Sequence, residues 1–188
     1  MSAVALTVAE LVVGATNTLT ISYDTTKDGK HALDYLTDYD RTESVNNNPC
    51  SGVAGCNLVS ENTFPIPLDP DVTKGKDQIL GNADDITQIP GSFSIFGGTI
   101  TGVSAYTLDG PYTGDSTRFI TITFTSDVVN PVMAWGGHIA TRLNWGINKS
   151  ANADSAGRIV GFFAEEGTES CQQRAPKGTG SSARLEST

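Results

Sequence analysis

The sequence predicts an all-β fold, an antiparallel β-sandwich of jelly-roll or immunoglobulin-like order with one short helical crossover and a long stapled loop. Three observations carry this expectation. Within residues 119–125 apolar and polar side chains alternate, with Ile120, Ile122 and Phe124 on one face and Thr121, Thr123 and Thr125 on the other, the period of a half-buried strand. Comparable short runs recur between clusters of Gly, Pro, Asn and Asp, the spacing of a sandwich and not of alternating strands and helices. The polar complement is rich in Thr, Ser, Asn and Gly and only 18% of residues are charged, a composition typical of secreted β proteins.

Taken in order, residues 4–13 form the first expected strand, with Val4, Leu6 and Val8 on one face. These residues lack a basic leader region, and Glu10 interrupts their apolar run, so they are a strand and not a secretion signal. The chain is accordingly expected to be a mature or excised domain. After the turn at residues 14–17, residues 18–24 point Leu19, Ile21 and Tyr23 inward, and the two strands together suggest a hairpin. Residues 30–41 follow the Asp28-Gly29 turn with Ala32, Leu33, Leu36 and Tyr39 at helical intervals, which predicts the helical crossover. Residues 44–90 show almost no regular patterning, and a loop of that length inside a compact domain is stapled, functional or unstructured. Strands resume at 92–96, 98–108, 118–126 and 128–135. Gly136-Gly137 should let the backbone turn sharply after Trp135, whose ring is expected in the core beside Met133, Ile139 and Leu143. Residues 158–164 are compatible with one more strand. The domain is therefore expected to span 1–164, with 165–188 as a linker-like tail.

At 188 residues the length favours one domain with a sizeable core. A formal net charge of -9 with scattered Lys and Arg excludes a nucleic-acid partner, and no apolar run is long enough to insert in a membrane. Cys50 and Cys56 share one Gly-containing loop and are expected to form a local disulfide, which places the chain in an oxidising, extracellular setting. Cys171 is left over in the tail.

Four groups of residues are candidates for chemistry. Asp69, Asp71, Asp77, Asp84 and Asp85 crowd one loop at the short intervals that calcium sites use, although Lys74 and Lys76 lie among them and no glutamate closes the loop. A solvated acidic loop is the favoured reading and no cofactor is expected, calcium being the only metal worth testing. His31, Asp34, His138 and Arg142 would form a polar cluster if residues 30–41 pack near Trp135, either tying loop to core or lining a hydrolytic cleft. No G-x-S-x-G or HExxH motif supports the catalytic version, so the chain is expected not to be an enzyme. Trp145 with Asn144 and Asn148 would make a stacking platform for sugars if the ring is exposed, and a core anchor if it is buried. Asn148-Lys149-Ser150 also fits a glycosylation sequon.

The run at residues 27–43, the Pro49-Cys50 loop, Phe64-Pro65-Ile66-Pro67, residues 98–101 and Ala134-Trp135-Gly136-Gly137-His138-Ile139-Ala140 together resemble a β-sandwich module of bacterial secreted and cell-surface multi-domain proteins. The similarity covers about residues 11–150. The resemblance implies a structural, adhesive or assembly role at the cell surface, with other protein modules, surface glycans or further copies of the chain as partners. It transfers no catalytic residue. A carbohydrate- or calcium-dependent binding module is the alternative, and a hydrolase a more distant one.

Overall fold

The computed structural model describes residues 2–41, 48–151, 162–166 and 171–173. They form two antiparallel sheets packed face to face, the expected all-β sandwich. In chain order the elements are β1 (Ser2–Val8), β2 (Thr16–Lys27), β3 (Lys30–His31), β4 (Leu33–Thr37), β5 (Glu61–Pro65), α1 (Pro70–Thr73), β6 (Ser92–Phe96), β7 (Gly98–Val103), β8 (Thr107–Asp109), β9 (Ser116–Ser126), β10 (Val132–Ile139), α2 (Arg142–Trp145), β11 (Phe162–Glu166) and β12 (Cys171–Gln173). One sheet runs β12-β1-β10-β6-β5 with β4 also on β10; the other runs β11-β2-β9-β7 with β3 on β2 and β8 on β9. β11 crosses the expected boundary at 164 and β12 lies beyond it, and the rest of the expected tail lies outside the described residues.

The core sits where the inward sides of the alternating strands meet. Leu19, Ile21 and Tyr23 of β2 and Ile120, Ile122 and Phe124 of β9 oppose Leu6 of β1, Phe93 and Ile95 of β6, and Met133 and Trp135 of β10, all at 0–1% exposure. Strand pairing reinforces this packing: Ile21 lies opposite Ile120, and Leu19 opposite Ile122. The chain passes between sheets at Gly97-Gly98, where a Cβ on Gly97 would lie 2.5 Å from the Val128 side chain and one on Gly98 2.5 Å from the Thr125 carbonyl.

Four expectations need correction. Residues 30–41 form no helix: they give β3, β4 and a 3-10 turn at Tyr39–Arg41. A register shift explains the misleading spacing. Tyr35 lies opposite His138 and Leu33 opposite Ile139, so Asp34 is an extra residue, and Leu33 and Leu36, three apart, both enter the main core. Asp28-Gly29, with φ of 51° and 69°, is instead the two-residue turn of a β2–β3 hairpin, since both positions lie in the left-handed region that such a turn requires. Second, β1 and β2 are not a hairpin, because β1 pairs with β10 and β12 while β2 pairs with β9, β11 and β3 in the other sheet. Third, Gly136-Gly137 is no corner. Both glycines lie inside β10, flanked by Ala3 and Ser2 of β1 and by Thr37 and Leu36 of β4. Fourth, the unpatterned 44–90 region holds an edge strand, β5, and the short α1. Pro65 ends β5, which suits a strand with one free edge.

Cys50 and Cys56 form the expected disulfide. With Val53, both sulfur-bearing residues pack on Val132, Ala5 and Phe96, so the staple covers the outer face of the β10 sheet. In the chain-entropy model so short a loop contributes about 2 kcal/mol. Reduction should therefore lower the melting temperature without unfolding the domain. Alkylation of unreduced protein followed by mass spectrometry should leave both residues unlabelled, and labelling of both as free thiols would overturn the staple.

Candidate functional site

Asp34 owes its position to the register shift in β4, which turns its side chain away from the main core toward a satellite apolar cluster of Tyr35, Val72, Ile86, Ala140 and Trp145. It is fully buried and collects three donors: the Tyr35 N–H at 3.1 Å, Trp145 Nε1–H at 3.2 Å, and His138 Nδ1, which lies 2.6 Å from Oδ1. The Tyr35 and His138 rings stack at 4.5 Å. α2 carries Trp145 to this point; Thr141 caps it by accepting from the Asn144 N–H. Three of the four residues expected to cluster thus gather around one carboxylate, His31 through Trp145. Arg142 lies on the exposed side of α2.

Trp145 is 2% exposed, which settles its two readings in favour of a core anchor. The open sugar platform expected with Asn144 and Asn148 is therefore absent in that form: Asn144 is half-buried and Asn148 exposed, beside a ring already covered. One face of the indole is taken by His31, stacked at 3.5 Å between centroids and 18° between planes. Tyr112 meets both rings edge-on, at 5.3 Å from His31 and 6.0 Å from Trp145.

These three aromatics form the floor of a cleft of about 240 Å3, completed by Thr26, Gly29, Lys76, Gln78, Thr113 and Lys149. Burial, and secondarily the Lys149 ammonium, lowers the His31 pKa from 6.5 to about 4. A histidine whose folded-state pKa is depressed contributes stability that is present above its ordinary value and is lost as pH falls toward the folded value. The melting temperature should therefore decline between pH 6.5 and about 4, and His31→Gln should flatten that decline. A variant with the wild-type slope would remove His31 as its source.

A second polar centre lies behind Tyr112. The inward alternation of β9 continues through Ile122 and Ile120 to Arg118, 2% exposed and directly opposite Tyr23 of β2. Arg118 Nη2 donates to Asp69 Oδ1 and to Asp71 Oδ2, each at 2.9 Å, and Nε lies 2.8 Å from Asp69 Oδ2. The guanidinium also sits 5.8–5.9 Å from the Tyr106 and Tyr112 ring centres. Burial raises the Asp69 carboxyl above its usual range against the opposing pull of Arg118. Burial also works against ionised Asp71, but hydrogen bonds from Arg118 and Lys74 prevail and hold it below that range. Burial, with Asp69 adding to it, pushes the Tyr112 hydroxyl upward.

The carboxylates of the calcium reading have the following partners. Asp69 caps α1 and shares Arg118 with Asp71, so a guanidinium stands where the cation was expected. The other three carboxylates fold their own loop: Asp84 accepts from the Lys76 and Asp77 N–H groups, Asp77 from Ile79 N–H and Asn82 Nδ2, and Asp85 from Gly81 N–H. Among the described residues no three His, Cys, Asp or Glu side chains converge to hold a metal ion.

Sequence reasoning missed Arg118 and the wall residues Tyr112, Lys76, Gln78 and Lys149. Arg118 had a usable signal, since the period of β9 puts it on the buried face. Tyr112 had none, because it lies between β8 and β9 in a stretch without periodicity. Among the described residues no helix is long and apolar enough to cross a membrane. Comparison with family models, with curated proteins and with solved structures finds no match to this chain.

Proposed function

We propose that this chain is a non-catalytic extracellular β-sandwich module of a bacterial surface protein, acting in adhesion or assembly through contact with other modules or with surface glycans. The observation that carries this reading is the use made of the buried polar groups. Asp34 is occupied by Tyr35, His138 and Trp145, and Arg118 is clamped by Asp69 and Asp71, so these buried charges are spent on packing. The Cys50–Cys56 bond supports an oxidising compartment. A second reading, a carbohydrate-binding module, is favoured by the aromatic cleft over His31, Tyr112 and Trp145.

The test joins adhesion to turnover. Immobilised oxidised protein should retain bacterial cells or cell-wall polysaccharide, equally with calcium or chelator, and should release nothing from chromogenic ester, glycoside and peptide substrates. Turnover abolished by His138→Ala would replace the module with a hydrolase. Retention that disappears with chelator would restore the calcium-dependent reading.

A further inference from the structure

Three features of the cleft each narrow what it can hold. The first is shape. Its volume of about 240 Å3 lies below the roughly 300–1,000 Å3 of sites for drug-sized molecules, so it accommodates one ring and not an extended chain. Gly29 and Gln78 both hold left-handed backbone, with φ of 69° and 62°, and the Gly29 carbonyl accepts from Lys149 Nζ at 3.0 Å on the exposed rim. The second is chemistry. His31 and Tyr112, both half-buried, offer ring surface to the apolar C–H face of a pyranose, while Trp145, 2% exposed, backs His31 from within and Thr113 lies beside them. Gln78 spends its Nε2 on the Asp71 and Gly75 carbonyls, which fixes the side chain and leaves Oε1 to accept from a hydroxyl.

The third is charge. The chain carries a net -9, yet the cleft is bordered by two ammonium groups. Among the described residues no ion pair uses Lys76 or Lys149, while Asp71 is engaged by Lys74 and Arg118, Asp115 by Lys27, and Asp84 by backbone N–H groups. Lys149 keeps two further donors beyond the one given to Gly29. Aromatic rings would ordinarily suit a cation, but the two lysines that line the same cleft oppose one and favour an anion. We infer that this cleft binds a single carboxylated sugar ring, lying against His31 and Tyr112 with Trp145 behind them, its carboxylate met by Lys76 and Lys149. The inference deepens the proposed module, on whose contact role it rests, by assigning the class of glycan it meets.

The full oxidised chain, titrated with D-glucuronate and separately with D-glucose, should show saturable shifts of the Gly29 amide and Trp145 Nε1–H signals with glucuronate. Glucose should bind roughly tenfold more weakly. Lys76→Gln and Lys149→Gln, both exposed positions, should keep the wild-type melting temperature while each weakens glucuronate about tenfold. Added salt should weaken glucuronate and leave glucose unchanged. No shift at millimolar glucuronate, or equal affinity for glucose, overturns the assignment. Tighter binding of tetramethylammonium would make the cleft a cation cage, and tighter binding of an acidic peptide would make its partner a protein; either result overturns it. Cell retention separates this inference from the reading beneath it. A Lys76→Gln, Lys149→Gln double variant that retains cells as wild type does removes the cleft and keeps the module, whereas wild-type protein that binds glucuronate but retains nothing removes the adhesive role alone.

Discussion

Trp135→Ala should destabilise the domain by about 3–5 kcal/mol, the range for deleting a fully buried aromatic side chain. Trp135 is 0% exposed in the middle of β10, opposite Val4 of β1, and packs into the core shared by both sheets. Its indole N–H has no partner among the described residues, so the loss is one of packing and cavity formation and not of a hydrogen bond. Against a typical net stability of about 5–15 kcal/mol the change is large. Urea unfolding should show a lower midpoint at an unchanged slope. Wild-type stability combined with lost retention of cells would instead make Trp135 a recognition residue and displace the structural account of β10.

Legibility in the sequence followed how far each element depends on its own residues. β2 and β9 were readable because one side is buried throughout β9 and through the middle of β2, so Leu19, Ile21, Tyr23 and Ile120, Ile122, Phe124 record the strand period directly. β4 was misread because all five of its residues are buried and a register shift at Asp34 converts a two-residue period into a three-residue one. Nothing local distinguishes that pattern from a helix turn; the pairing with β10 decides it. Gly136-Gly137 failed for a related reason, since glycine signals a turn only when no neighbouring strand holds it extended, and here β1 and β4 hold it from both sides. The meeting of Asp34 with His138 was within reach, because both residues interrupt apolar runs and a buried polar group needs a partner. The cleft was not, since its walls come from separate loops brought together only by the finished sandwich.

Arg118→Leu should cost about 3–5 kcal/mol at neutral pH, the usual result of removing one partner from a buried ion pair. The penalty comes less from lost attraction than from what remains: Asp69, 0% exposed, would keep its charge with no cation beside it, and Asp71 would retain only Lys74. Leu at both 118 and 69 removes the stranded charge, so the double variant should be more stable than Arg118→Leu, short of wild type by roughly the 1 kcal/mol of a lost helix cap at α1. The pH dependence gives an independent check. In the wild type, burial raises the Asp69 pKa while Arg118 restrains it; without Arg118 only the upward push is left. A carboxyl with a raised folded-state pKa destabilises the fold when ionised and is relieved as pH falls through that pKa. Asp71 runs the other way, its contribution present above the ordinary carboxylate range and lost on acidification through its depressed folded pKa, and that contribution shrinks with Arg118 gone. Both changes act in one direction, so the stability gap between wild type and Arg118→Leu should narrow from neutral pH toward about pH 5. A gap that stays constant or widens would mean that Asp69 is already protonated beside Arg118, and that the guanidinium is held by Asp71 and the Tyr106 and Tyr112 rings instead.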